Sequence, residues 1–207
     1  MCLHNQLDTY LTISSTSQGI YKEKGSKFLA FAYPIFSEEE FKTHLIQLKK
    51  DYHDARHHCY AFKLGLTENE HRYSDDGEPN NSAGKPIYGQ ILSKNVTNVG
   101  IVVVRYFGGT KLGVGGLVTA YKEATADALN NAIIIEQTVN NFYQITFDYI
   151  VMSEIMNFIK KNELTVSKQV FETTCLIEFK IRQTEASFVV NELEKMEGLK
   201  IEFVKTI

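Results

Sequence analysis

Residues 101–121 read IVVVRYFGGTKLGVGGLVTAY, an apolar run, then a glycine-rich turn, then residues at helical spacing. Ile101 to Val104 has no polar interruption, the pattern of a strand covered on both faces. Leu117 to Ala132 is predicted as a helix. Between them, Gly108, Gly109, Gly113, Gly115 and Gly116 place five glycines within nine residues. A turn of this kind can bind phosphate, because free N–H groups at a helix start point at the anion. The defining residues of known nucleotide motifs are missing, however. Gly108 and Gly113 have P-loop separation, but Val114 and Gly115 stand where Lys and Ser/Thr are required. Gly113, Gly115 and Val118 begin a dinucleotide fingerprint and fail at its third glycine. No nucleotide or other cofactor is therefore expected. Two roles stay open for the glycines: positive φ and close packing of helix on sheet, or a backbone surface, flanked by Arg105 and Lys111, that meets phosphate or a partner.

Upstream, Tyr10 to Ser15 and Ser26 to Tyr33 are predicted strands. Ser37 with Glu40 forms a capping box for a helix carrying Phe41, Leu45 and Leu48 on one face. His58, Tyr60, Phe62 and Leu64 alternate with His57, Cys59, Ala61 and Lys63, a strand with one histidine on each face. The turn-rich SDDGEPNNSAGKP follows, with Pro86 in the first turn of a short helix reaching about Lys94. Asp75, Asp76 and Glu78 are weak candidates for a divalent metal, if His57, His58 or His71 lay beside them. A DDGEP string is more simply a tight turn, and that is the expectation, with no metal. Cys59 points away from His58, and neither G-x-S-x-G nor H-E-x-x-H occurs, so no catalytic residue is assigned. Lys27, Arg56, His57, Arg72, Lys85, Arg105 and Lys111, with the five glycines, are the candidate anion-binding or nucleic-acid-binding set. They matter only if the fold gathers them.

The C-terminal third switches between periods of two and about 3.6. Tyr143 to Tyr149 alternates as a strand, and Val151, Ile155, Phe158 and Ile159 recur as a helix. A hairpin near Val166 to Phe171 and Ile177 to Ile181 follows. Thr184 can then cap a helix ended by Gly198, and Lys200 to Val204 forms a last strand. The order βαββαβ is ferredoxin-like. The fold class is thus α+β in two domains, residues 1–134 and 135–207, with the boundary between Asn131 and Asn140.

At 207 residues, 43% hydrophobic and 23% charged, the chain is neither disordered nor fibrous. No run is apolar enough to cross a bilayer, and MCLHNQLDTY lacks the features of a signal peptide, so a cytoplasmic protein is expected. Cys2, Cys59 and Cys175 are odd in number and widely spaced, as free thiols are. Net charge is −3, and residues 135–207 supply the acidity, with 8 basic and 11 acidic residues. All six histidines, His4, His44, His53, His57, His58 and His71, precede that region.

Four strings stand in order: ARHHCYA at 55–61, SDDGEP at 74–79, AGKP at 83–86 and VVVRYFGGTKLGVGGL at 102–117. Together they resemble the IMPACT family, and the two-domain layout resembles its bacterial YigZ branch. The resemblance implies a first domain similar to domain IV of the translocase elongation factor G, a fold shared with a ribosomal protein domain. It implies a second similar to that factor's domain V. In eukaryotic members the family domain is joined to a module that competes for the activator of a starvation-sensing initiation-factor kinase. No such module precedes the first strand here, so the resemblance implies the fold rather than kinase regulation. Lys111 places a charge where an apolar residue is common. The leading expectation is an RNA-binding or ribosome-associated regulator of translation, with RNA, the ribosome or a translation-associated protein as partner, no membrane and no DNA sequence specificity. Neutralising about four phosphates would give a log-log salt slope near −3 to −4. The alternatives are an enzyme acting on a small phosphorylated or anionic substrate at the glycine loop, and a protein-interaction module.

Overall fold

The computed structural model describes residues 8–66 and 70–207, so Cys2 and His4 lie outside the described residues. The elements run β1 (Thr9–Ile13), β2 (Ser17–Glu23), β3 (Ser26–Pro34), α1 (Glu38–Asp51), β4 (His57–Lys63), β5 (His71–Ser74), α2 (Gly84–Ser93), β6 (Val99–Tyr106) and α3 (Gly113–Asn130). They continue as β7 (Ile134–Thr138), β8 (Asn140–Asp148), α4 (Met152–Lys161), β9 (Thr165–Phe171), β10 (Thr174–Arg182), α5 (Gln183–Leu193) and β11 (Leu199–Thr206). The chain divides into one unit of residues Tyr10–Gln137 and a second in which the segment through Thr9 joins Thr138–Ile207.

In the first unit an antiparallel sheet has the order β2-β3-β6-β4-β5. Its central strand β6 is buried on both sides, as the apolar run predicts. Val99, Ile101 and Val103 pack with Ile87 and Ile91 of α2 and Leu117, Ala120, Tyr121 and Ala124 of α3. Val102 and Val104 pack with Phe41 and Leu48 of α1. The helices therefore bury both faces of β6, although its neighbours are antiparallel. Ser37 caps α1 by accepting from the Glu40 N–H at 3.1 Å. Glu40 turns back to accept the Phe36 N–H at 2.8 Å, one residue earlier than in a standard capping box.

Three strands of this unit escape the hydrophobic pattern. In β2, buried Ser17 and Gly19 stand where apolar residues would mark the inner face. Ser17 donates to the Ala128 carbonyl, and a Cβ at Gly19 would lie 2.2 Å from the Ala128 nitrogen, so α3 rests directly on the backbone there. The edge strand β5 is exposed at His71, Arg72 and Tyr73, and β7 is a short partner of β1.

In the second unit the order β11-β8-β10-β9 is the ferredoxin-like arrangement, with every pair antiparallel. Ile145, Phe147, Ile177, Phe179 and Ile181 pack against Ile155 and Ile159 of α4 and Ala186, Val189 and Leu193 of α5. The expected Thr184 cap is not formed. Its hydroxyl donates to Asp8, 2.7 Å away, and Arg182 clamps the same carboxylate from 2.5 and 2.9 Å. These partners, Arg182 before Thr184, hold the Asp8 carboxyl at about 2, below its ordinary 3.8.

Candidate anion-binding cleft at the start of α3

Arg105 continues β6 past the core on the face that carries α2 and α3, and His57 of β4 lies opposite it in register. Above them the chain leaves β6, turns through the glycines and enters α3 at Gly113, one turn earlier than the predicted start at Leu117. Gly113, Gly115 and Gly116 therefore belong to a helix, not to a loop. Leu112 precedes it without a side-chain cap, and the first turn has no acidic residue. The N–H groups of that turn are left without helical partners. A cavity of about 420 Å3 lies here, bounded by Arg56, His57, Arg105 and Lys111, with Phe107, Val114 and Leu117 as apolar wall. Phe107 and Val114 are each more than half exposed. The volume falls within the ~300–1,000 Å3 typical of ligand pockets.

The glycines divide into two groups. A Cβ on Gly108 would lie 1.9 Å from the Gly25 carbonyl carbon, so this position is reserved for close passage of the β2–β3 turn. Gly109 and Gly113 take φ of +85° and +71°, where side chains are disfavoured. Gly115 has neither reason. It is helical and exposed, and nothing lies within 4 Å of its added Cβ. Glycine there costs about 1 kcal/mol of helix propensity relative to alanine.

Arg105 is not the free cation expected from the sequence. Its side chain is buried and donates to Glu78 Oε1 at 2.5 Å, and the Tyr121 hydroxyl donates to the same oxygen at 2.8 Å. The guanidinium carbon lies 5.5 Å from the Phe28 ring centre and 5.7 Å from that of Phe107, while Nε has no partner. Below Tyr121, Cys59 Sγ is 3.2 Å from the phenol oxygen and 3.0 Å from the Asp75 carbonyl. Burial pushes both the Cys59 thiol and the Tyr121 hydroxyl upward, so both stay protonated. Arg105, Glu78, Tyr121 and Cys59 thus form a neutralised floor. Arg56 and Lys111 remain as exposed cations at the rim.

The acidic turn is a scaffold. Asp75 accepts N–H groups of Asn81, Ala83 and Gly84, fastening the start of α2. Asp76, at φ +41°, accepts the His58 N–H at 2.6 Å, and its carbonyl accepts from His57 Nδ1 at 2.8 Å. The hydrogen bond fixes the proton on Nδ1. Each carboxylate has its own partners, and no cluster of metal-ligating side chains occurs among the described residues.

The other candidates are dispersed. Lys27 lies by the β2–β3 turn with Lys22 and Lys24. Arg72 pairs with Glu38 of α1 at 2.5 Å, on the opposite face of the sheet. Lys85 is exposed in the first turn of α2 and does not bound the cleft. Sequence reasoning missed Phe107 and Val114 as site residues. Their signal was apolar character beside glycines in a segment otherwise read only for backbone.

Residues 24–129 match the Impact N-terminal domain. The chain is 32% identical over 145 residues to the IMPACT family member YigZ of Escherichia coli, covering 69% of this chain and 71% of that protein. It is 27% identical over 162 residues to YvyE of Bacillus subtilis, covering 78% and 75%. A Dictyostelium discoideum IMPACT homolog is 35% identical over 112 residues, but these span 32% of that protein. A solved structure described as that of a hypothetical protein superposes with a TM-score of 0.76 at 25% identity, over 96% of this chain and 98% of the other. No helix among the described residues is long and apolar enough to cross a membrane.

Proposed function

Because this chain belongs to the IMPACT family, we propose that it is a cytosolic, translation-associated regulator that binds RNA at the cleft over α3. The observation that supports this reading is the convergence of Arg56, Lys111 and the uncapped α3 N-terminus beside the exposed Phe107 ring. A phosphate takes the helix N–H groups and the cations, and a base stacks on the aromatic wall. The open space over Gly115 admits the sugar-phosphate close to the backbone. Since Arg105 is neutralised by Glu78 and Lys27, Arg72 and Lys85 lie elsewhere, about two phosphates are met rather than four. The log-log salt slope for this site is then about −1.5.

The test is fluorescence anisotropy with a labelled single-stranded RNA 12-mer across a salt series, alongside sedimentation with ribosomes. Arg56→Ala with Lys111→Ala should weaken binding and flatten the slope by about 1.5. If the double variant leaves both unchanged, or the wild type neither binds RNA at low salt nor sediments with ribosomes, the reading fails. A free mononucleotide that binds without RNA would instead assign the cleft to a small phosphorylated ligand.

A further inference from the structure

The sheet of the second unit has helices on one face only, and its strands alternate accordingly. Asn141, Ile145, Phe147, Cys175, Ile177, Phe179 and Ile181 are buried, whereas Phe142, Gln144, Thr146, Leu176, Glu178 and Lys180 retain exposure. Cross-strand register sorts the exposed residues into rows. Lys205 of β11, Phe142 of β8 and Lys180 of β10 are direct neighbours in one row. Lys205 Nζ stands 5.1 Å from the Phe142 ring centre. In the next row, Glu202, Gln144, Glu178 and Lys168 follow one another.

Charge is segregated between the two sides. The unhelical face carries Lys168, Lys180, Arg182, Lys200 and Lys205 against Asp148, Glu178 and Glu202, a net of +2 that falls to +1 because Asp8 clamps Arg182. The helices and turns of 138–207 hold the other 3 basic and 7 acidic residues, a net of −4. The acids of the face are partly occupied: Glu202 pairs with Lys200, and Glu178 accepts from Ser167. Lys168, Lys180 and Lys205 form no ion pair among the described residues.

We infer that this bare face is a second RNA-binding surface, in which a base stacks on Phe142 and flanking phosphates meet Lys180 and Lys205. Cations on both sides of one aromatic ring repeat the alternation of phosphate and base along a single strand. Phe142 is partly buried with its solvent-facing side on a central strand, and a four-stranded sheet with an aromatic so placed is a known platform for unpaired bases. An acidic peptide would use the lysines and leave the ring without a role. Single-stranded nucleic acid in cells is overwhelmingly RNA, which fixes the source. The inference goes beyond the cleft and does not depend on it.

The test uses the full chain and the labelled RNA 12-mer, with a DNA 12-mer of the same sequence and Arg56→Ala/Lys111→Ala in parallel. Thermal melts check that each variant folds. Lys180→Glu with Lys205→Glu should weaken RNA binding about tenfold or more and flatten the salt slope by about 1.4. Phe142→Ala should weaken it about fivefold at unchanged slope, while Phe142→Trp retains wild-type affinity. Loss in the sheet variants with none in the cleft variant would support this surface and sink the cleft reading; the reverse pattern would overturn this surface alone. Alanine and tryptophan behaving alike at position 142, tighter binding of the DNA, or an acidic protein lost by the lysine variants while RNA affinity is unchanged would each overturn it.

Discussion

The two units solve the same problem, an antiparallel sheet needing cover, in opposite ways. In Tyr10–Gln137 helices close both faces, and the central strand is apolar throughout Ile101–Val104. The cleft lies at the rim, where β6 runs out and α3 begins. In the second unit one face stays bare, and its side chains can form a platform without any loop. The proposed recognition would rest in the first unit on a helix N-terminus with Arg56, Lys111 and Phe107 beside it, and in the second on side chains set in rows by strand register.

The largest expected contrast lies in the charges each unit holds. Glu78→Ala would leave Arg105 buried and unpaired beneath the cleft, and urea unfolding should show a loss of about 3–5 kcal/mol. The corresponding ion pair of the second unit, Asp8 with the half-exposed Arg182, should cost less when Arg182→Ala is made, because water reaches the guanidinium and Asp8, which keeps the Thr184 hydroxyl, is not left alone. Equal losses would show that the floor of the cleft is not the desolvated pair described.

The glycines provide the next contrast, within the first unit. Gly108→Ala should destabilise strongly, because its new methyl would run into the Gly25 backbone, and overpacking costs about 1–3 kcal/mol or more. Gly115→Ala should raise stability by up to about 1 kcal/mol while weakening RNA binding. If Gly115→Ala binds RNA as the wild type does, no ligand approaches that turn.

The smallest effect separates the units by pH. Burial holds the His58 imidazole below its ordinary value near 6.5, against the opposing pull of Asp76. The unfolded chain takes up that proton first, so the first unit should lose stability as pH falls below about 6.5. Asp8 is held at about 2, so its contribution is full above its ordinary 3.8 and is lost only as pH falls through about 2. Thermal melts between pH 7 and 4.5 should therefore weaken the first unit and spare the Asp8 clamp. His58→Gln, which does not titrate, should reduce that dependence.

Legibility in the sequence follows from the same contrast. The second unit, apolar on one sheet face, gives clean alternation, and its element order was readable in full; its bare face was not, because rows form across strands far apart in sequence. The first unit's β2 was hidden because Ser17 and Gly19 take inward positions to admit α3. The start of α3 was hidden because glycines carry no helical signal. The cations were legible as residue types only. That Arg105 is spent on Glu78, 27 positions away, and Arg72 on Glu38, depends on tertiary packing.

Among the described residues each unit encloses one thiol, Cys59 in the first and Cys175 in the second, and both are fully buried. With Cys2 replaced by serine, a thiol reagent added to native protein would modify each cysteine only when its own unit opens. Peptide mapping of the modified sites against time would then yield two opening rates from one unlabelled sample. Added RNA should slow the modification of whichever cysteine belongs to the unit that holds it.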